Sequence, residues 1–218
     1  VIDMKKIKID FSFIWSGIFI ILFMIWTIFV LKGTFLTFDY QIFAFIHHYL
    51  LSDILTFFLK MITYMGSAWF LGIVTLLILC FFKNKLIGIS LGFNLFLVSM
   101  LNLILKNIFL IPRPDTLTLI LEDGFSYPSG HAMASLAFYS FLIYLVYKKM
   151  KTSVGKKVLI SLLILLILLI GFSRIYLGVH HFSDIIGGYL ISLAYFILFI
   201  KLIQKLGMEK VYEVQKRN

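Results

Sequence analysis

One stretch of the sequence, SRIYLGVHHFSD, combines histidine with residues that could orient it for catalysis. Arg174 is followed by His180 and, four residues later, by Asp184. Residues four apart on a helix share a face, so the carboxylate of Asp184 can accept a hydrogen bond from one ring nitrogen of His180. The other ring nitrogen is then free to act as a nucleophile. His181 could pair with the same carboxylate at i,i+3, but helix geometry favours His180.

A second stretch, YPSGHAM, predicts a helix start that binds an anion. Pro128 disfavours helix before it, Ser129 can act as the N-cap, and the helix begins at Gly130 or His131. Unpaired N–H groups and the positive dipole end attract anions to a helix start, and glycine lets an anion approach the backbone. With an unperturbed pKa of about 6.5, His131 can donate a proton and then recover one from water.

A third stretch, KNIFLIPRP, adds fixed positive charge. Lys106 lies near the end of an apolar run, and Arg113 lies seven residues later between Pro112 and Pro114, which stiffen the backbone around it. Together with Arg174, these residues supply two planar guanidinium groups and one ammonium point charge. Such groups bind tetrahedral oxyanions, so the three stretches together predict a phosphate site.

The elements that carry these stretches are predicted to lie in a membrane. The chain is 61% hydrophobic and 14% charged, whereas soluble domains are about half apolar and a quarter charged. Six apolar runs approach the roughly 20 residues that a spanning helix needs: residues 11–31, 66–82, 86–110, 131–147, 157–173 and 184–203. The apolar segment between the first two is interrupted by charged residues and histidines, which favours an amphipathic helix at the interface.

We therefore expect an all-α fold, a polytopic bundle of six transmembrane helices plus one interfacial amphipathic helix between the first two. The expected organisation is one membrane-embedded domain, 1–218. His47 and His48 fall on the interfacial helix and are expected to lie outside the site. Glu122 and Asp123, in the loop before the second stretch, are expected to be solvated.

The distribution of basic residues predicts the orientation of the chain. With six spans, most of the 20 Lys and Arg residues lie on the side of the two termini, among them Lys5, Lys6, Lys8, Lys210, Lys216 and Arg217. By the positive-inside rule both termini are cytoplasmic, and the candidate site faces outward from the cell membrane. The net charge of +10 reflects this asymmetry, and no nucleic acid partner is expected.

The three stretches resemble, in residue type, spacing and order, the signature motifs of the type-2 phosphatidic acid phosphatase superfamily, which are integral membrane lipid phosphate phosphatases. The matching positions are Lys106-x6-Arg113-Pro114, Pro128-Ser129-Gly130-His131 and Ser173-Arg174-x5-His180-x3-Asp184. The six-span layout extends the likeness over nearly the whole chain.

This resemblance implies a metal-independent phosphohydrolase without a cofactor. It implies that His180 is the nucleophile that forms a phosphohistidine, that Asp184 orients it and that His131 protonates the leaving group. The residues that match the phosphate cradle are Lys106, Arg113, Ser129, Gly130 and Arg174. A chain this short is similar to bacterial members that act on phosphatidylglycerol phosphate or undecaprenyl diphosphate. Either lipid is an expected substrate. Other membrane lipids are expected to surround the protein, and no obligate protein partner is evident.

Three alternatives are compatible with the same residues. A phosphotransferase would pass the phosphoryl group from the histidine to an acceptor other than water. A transporter of anionic lipids would use the arginines only for binding, although the sequence shows no paired halves. A metal site built from His131, His180 and Asp184 with the acids Glu122 and Asp123 is possible from ligand type alone, but the surrounding cations would repel a metal ion.

Overall fold

The computed structural model describes residues 11–207 and confirms an all-α fold in that range. The terminal basic residues on which part of the predicted orientation rests lie outside the described residues: Lys5, Lys6, Lys8, Lys210, Lys216 and Arg217. The helices are α1 (Phe11–Leu31), α2 (Leu36–Leu50), α3 (Asp53–Tyr64), α4 (Ala68–Phe81), α5 (Lys85–Phe109), α6 (Gly130–Lys149), α7 (Val154–Tyr176) and α8 (Phe182–Lys205).

Five of these helices, α1, α5, α6, α7 and α8, are long and apolar enough to cross a membrane on their own. Helices α3 and α4 meet the same criterion only as a pair, bent by 54° at the break between them. Alone, α4 has 14 residues and spans about 21 Å, less than the hydrocarbon thickness of about 30 Å. Counted as one span, the bent pair begins earlier than the expected 66–82 and brings the candidate spans among residues 11–207 to six, the predicted number.

The segment between α1 and the bent pair contains α2, with 15 residues, and a break at residues 51–52. The break separates α2 from α3 because Ser52 N-caps α3, its side chain accepting a hydrogen bond from Leu55 N at 3.3 Å. Helix α2 lies against the facing ends of α7 and α8. Its Asp39 accepts hydrogen bonds from the backbone N and the hydroxyl of Ser183, and His47 Nε2 lies 2.8 Å from the carbonyl oxygen of Tyr176.

Helix α6 is the most buried of the spanning helices in the described part of the chain. It packs against α5, α7 and α8, and its first half contributes small side chains that allow close approach. Hydrogen bonds connect it to two of these helices. Asn94 Nδ2 of α5 donates to the carbonyl of Ala137, and Ser192 Oγ of α8 donates to the carbonyl of Met133. Ser129, Gly130 and His131 of the candidate site therefore lie at the start of the most buried spanning helix within residues 11–207.

The connection between α5 and α6 folds over the ends of α7 and α8. Its backbone has no helix or strand, but three backbone hydrogen bonds fix its course. Ser126 N donates to the carbonyl of Ile111, Leu119 N to that of Leu177, and Ser129 N to that of Asp184. These bonds bring the second sequence motif against the third.

Candidate active site

His180 lies in the short connection between α7 and α8, and two buried side chains contact the Nδ1 side of its ring. Nδ1 lies 3.2 Å from Oδ2 of Asp184 and 3.1 Å from Oγ of Ser126. Ser126 Oγ donates a hydrogen bond to the same Asp184 oxygen over 2.5 Å. All three side chains are buried, so this contact orients the imidazole without competition from water.

The His180–Asp184 pair forms as expected, but through a different backbone geometry. His180 precedes α8, which begins at Phe182, so the two residues do not share a helical face. Asp184 instead reaches back from the first turn of α8, where its Oδ2 also accepts from His181 N at 2.9 Å. The ring of His181 stacks edge-on against Tyr40. His180 is thus the histidine whose ring lies beside the carboxylate.

The guanidinium of Arg113 lies on the opposite side of the His180 ring. Its Nη1 is 3.3 Å from His180 Nε2 and donates to the carbonyl of Val179 over 2.8 Å. A guanidinium can only donate, so Nε2 is the acceptor in this contact and the ring hydrogen is on Nδ1, facing Asp184. The lone pair of Nε2 therefore points toward the cationic side of the site.

Arg174 closes that cationic side from the end of α7. It is 1% exposed, and its Nη1 donates to Thr63 Oγ1 of α3 over 2.9 Å. Its Nη2 lies 2.5 Å from Oε1 of Glu122, whose Oε2 lies 3.4 Å from Nη2 of Arg113. One carboxylate thus bridges the two arginines. The Nε atoms of both arginines are buried without a hydrogen-bond partner.

The N-terminus of α6 lies against α5 and against the first turn of α8, where Ser129 N donates to the carbonyl of Asp184. Ser129 is the N-cap, and its side chain accepts from Ala132 N at 3.5 Å. A Cβ placed on Gly130 would lie 2.9 Å from Oδ1 of Asn102 on α5, so a larger residue here would require the Asn102 side chain to shift. His131 and Lys106 line a cavity of about 300 Å³ between α5 and the start of α6. The ammonium of Lys106 donates to the carbonyl of Phe125.

The sequence of the chain matches a known protein family. Residues 87–208 match the PAP2 superfamily. Phosphatidylglycerophosphatase B of Bacillus subtilis (strain 168) is 32% identical over 141 residues, which cover 63% of this chain and 70% of that protein. The chain belongs to the PAP2 superfamily of membrane phosphatases.

The fold of this PAP2 protein also matches solved structures. The crystal structure of a transmembrane PAP2-type phosphatidylglycerolphosphate phosphatase from Bacillus subtilis aligns with a TM-score of 0.78 and 26% identity, over 88% of this chain and 96% of that one. Aquifex aeolicus LpxE aligns with a TM-score of 0.59 and 24% identity, over 74% of this chain and 93% of that one. The second likeness concerns the fold alone.

Burial and neighbouring positive charge determine the protonation state of His180. Burial lowers the pKa of His180 well below 6.5, and the charges of Arg174, Arg113 and Lys106, together with His131, lower it further. Burial also lowers the pKa of Arg113, against the opposing effect of Glu122, but a guanidinium stays protonated. At neutral pH the site therefore holds a neutral His180 among cations.

The structure brings the predicted site residues to one end of the bundle, namely Lys106, Arg113, Ser129, Gly130, His131, Arg174, His180 and Asp184. Sequence reasoning missed three of their neighbours. Thr63 holds Arg174, and Ser126 holds the His180–Asp184 pair. Glu122 was expected to be solvated, and that expectation is wrong because its carboxylate bridges the two arginines. Of the three, only Ser126 could have been suspected from the sequence, because it lies two residues before Pro128 of the second motif.

Within residues 11–207, no group of three or more His, Cys, Asp or Glu side chains is arranged to hold a metal ion. His47 and His48 lie on α2, and the contact of His47 with the end of α7 is a packing contact outside the site.

Proposed function

We propose that this protein hydrolyses the terminal phosphate of a membrane lipid through a phosphohistidine on His180. One observation supports this mechanism above all. Nδ1 of His180 lies against Asp184 and Ser126, while Nε2 faces Arg113. This is the arrangement that a nucleophilic imidazole requires, with one nitrogen anchored and the other directed at a phosphate held by cations.

In the proposed reaction, Nε2 of His180 attacks phosphorus and the bond to the lipid oxygen breaks. His131 donates a proton to that oxygen, so the lipid leaves as an alcohol or as a lipid phosphate. Arg113, Arg174 and Lys106 stabilise the charge on the equatorial oxygens, together with the α6 N-terminus at Ser129 and Gly130. Water then attacks phosphorus, His131 takes its proton, and the P–N bond breaks to release inorganic phosphate.

The cavity beside His131 supports a lipid leaving group. It is lined by polar and charged residues at one end, including Lys106 and Asn102, and by apolar residues of α5 such as Val98 and Leu103. A leaving group must lie on the side of its proton donor. A headgroup in this cavity would point its acyl or prenyl chains along α5 and into the bilayer.

Phosphatidylglycerol phosphate is the first substrate we propose, because the relative aligned over most of both chains is a phosphatidylglycerolphosphate phosphatase. Undecaprenyl diphosphate is the second, because the cradle residues contact only the terminal phosphate that both lipids carry. We propose that the whole chain, 1–218, forms one phosphatase domain that uses neither a metal nor a cofactor and requires no protein partner.

We propose an outward-facing site with both termini in the cytoplasm. Lysines support this orientation, because several lie at the bundle end opposite the site, in the α4–α5 and α6–α7 connections and the adjoining helix ends: Lys83, Lys85, Lys148, Lys149, Lys151, Lys156 and Lys157. An outward site at the interface would meet lipid headgroups from the bilayer and water from outside.

Phosphate release by purified protein in mixed micelles with EDTA tests the function. We expect release from phosphatidylglycerol phosphate and undecaprenyl diphosphate, and we expect His180→Ala to reduce it by roughly 10³-fold or more. His181→Ala is the matched control, because the ring of His181 faces Tyr40. Activity that survives in His180→Ala would refute the phosphohistidine. Phosphorylated acceptor instead of inorganic phosphate would indicate a transferase, and binding without turnover would indicate a transporter.

A further inference from the structure

Glu122 occupies the space in which the proposed function places the substrate phosphate. Its two carboxylate oxygens contact different arginines, Oε1 at 2.5 Å from Arg174 and Oε2 at 3.4 Å from Arg113. Arg113 in turn lies 3.3 Å from the nucleophilic nitrogen of His180. A phosphoryl group in reach of that nitrogen and of both arginines would need the same guanidinium donors. Glu122 and the phosphate therefore compete for one position.

The surroundings of Glu122 allow it to leave. It is the more exposed member of both ion pairs, at 26%, against 1% for Arg174 and 15% for Arg113. It belongs to the connection that carries no helix or strand, next to the exposed Leu121 and two residues before Gly124, which has a positive φ of 74°. Arg174 is also held by Thr63, and Arg113 by the carbonyl of Val179, and neither of these contacts involves Glu122.

The competition depends on the charge of the incoming group. A phosphomonoester carries about −1.5 to −2 at pH 7 and has three terminal oxygens, whereas a phosphodiester carries one negative charge and has two. Exchange of the Glu122 carboxylate for a phosphodiester gains no charge, and it loses the high effective concentration of a carboxylate tethered in the same chain. Exchange for a phosphomonoester or terminal diphosphate gains charge between two guanidinium groups.

We propose that Glu122 is a displaceable carboxylate that selects terminal phosphate groups against the phosphodiester headgroups of ordinary phospholipids. This inference rests on the proposed function, since it assumes that the arginines hold the substrate phosphate. It also bears on product release. A phosphatidylglycerol product has only a phosphodiester, and the returning carboxylate favours its release from the arginines.

The variant Glu122→Gln tests this inference because it keeps the size of the side chain and removes the charge. We expect the inhibition constant of phosphatidylglycerol in mixed micelles to fall by about tenfold, equivalent to about 1.4 kcal/mol. We expect KM for phosphatidylglycerol phosphate to fall less, so that selectivity against the diester decreases. Asp123→Asn is the matched control, because it removes the same charge one residue away. Asp123 contacts Arg113 only through its backbone carbonyl, which the substitution leaves in place.

A second measurement separates this inference from the proposed function. Titration calorimetry with inorganic phosphate on a His180→Ala background requires no turnover, and we expect tighter binding when Glu122→Gln is added. Glu122→Asp, which is too short to bridge both arginines, should give an intermediate affinity. Unchanged or weaker binding of phosphate and phosphatidylglycerol in a folded Glu122→Gln protein would overturn the inference and make Glu122 a purely structural partner. If the parent protein released no phosphate from either lipid, the proposed function would instead be refuted.

Discussion

At the scale of single residues, Ser126 is a positioning residue for the proposed nucleophile. Its hydroxyl lies 3.1 Å from His180 Nδ1 and 2.5 Å from Asp184 Oδ2. Replacement by alanine leaves the imidazole held by the carboxylate alone, so we expect Ser126→Ala to lower kcat about tenfold, the order of one buried hydrogen bond of about 1.5 kcal/mol. KM should change little, because Ser126 does not face the arginines.

The control for this prediction is Ser135→Ala. Ser135 is also buried, but its hydroxyl donates to the carbonyl of Ala132 within α6 and does not contact His180 or Asp184. Steady-state kinetics on both variants would decide between a local and a general effect. Equal losses of kcat in the two variants would contradict a specific role for Ser126.

The protonation of His180 gives a second residue-scale prediction. Burial and the neighbouring arginines lower its pKa in the folded protein, whereas in the unfolded chain it stays near 6.5. Below pH 6.5 the unfolded state therefore binds more protons, and folding stability falls as the pH is lowered, by up to about 1.4 kcal/mol per pH unit. We expect the thermal midpoint to fall between pH 7 and pH 5 more steeply in the parent protein than in His180→Asn.

Thermal unfolding in detergent at several pH values measures this difference. Both proteins contain the same carboxylates, so the comparison isolates the histidine. Parallel midpoint curves for the two proteins would show that His180 titrates normally in the folded state, and a nucleophile kept neutral by its surroundings would be ruled out.

At the scale of elements, the approach of α8 to the connection before α6 depends on Gly187. A Cβ at this position would lie 2.5 Å from the phenol oxygen of Tyr127, a fully buried side chain bonded to Thr27 of α1. We expect Gly187→Ala to push Tyr127 and the adjoining Ser126 out of place. Overpacking of this kind costs about 1–3 kcal/mol, and phosphate release should fall with it.

Gly72→Ala is the control at the same scale. Nothing lies within 4 Å of a Cβ built on Gly72, which is inside α4, and alanine favours a helix over glycine by about 1 kcal/mol. We expect this variant to keep or raise the thermal midpoint and to keep full activity. A Gly187→Ala protein as stable and active as Gly72→Ala would show that the connection is not fixed by contact with α8.

The sequence was sufficient for elements that depend on local pattern, and insufficient where distant segments meet. Apolar length identified α1 and α5 to α8, and Ser129 identified the start of α6. The pairing of α3 with α4 in one bent candidate span was missed, because the charged residues before residue 66 favoured an interfacial helix there. Glu122 was misread because nothing in its local sequence reports the two arginines.

At the scale of the whole molecule, the alternation of helices explains why three distant motifs share one site. Helices α5 and α7 end at the same face of the bundle at which α6 and α8 begin. Lys106 and Arg174 are therefore near helix C-termini, where the dipole favours cations, and Ser129 and Gly130 are at a helix N-terminus, where it favours the anion. Under the proposed function, each helix end would contribute to binding phosphate through the polarity of its own dipole.

Labelling of single cysteines tests the orientation of this end of the bundle. Cys80 is the one cysteine of the chain, and Cys80→Ser provides a background without a thiol. Leu121 is 97% exposed beside the site, and Val154 is 78% exposed at the opposite end. In intact cells, a membrane-impermeant maleimide should label Leu121→Cys on this background. It should label Val154→Cys only after permeabilisation, because the positive-inside rule predicts that the lysine-rich connections stay in the cytoplasm. The reverse pattern would place the arginines on the cytoplasmic face and would require substrates from the inner leaflet.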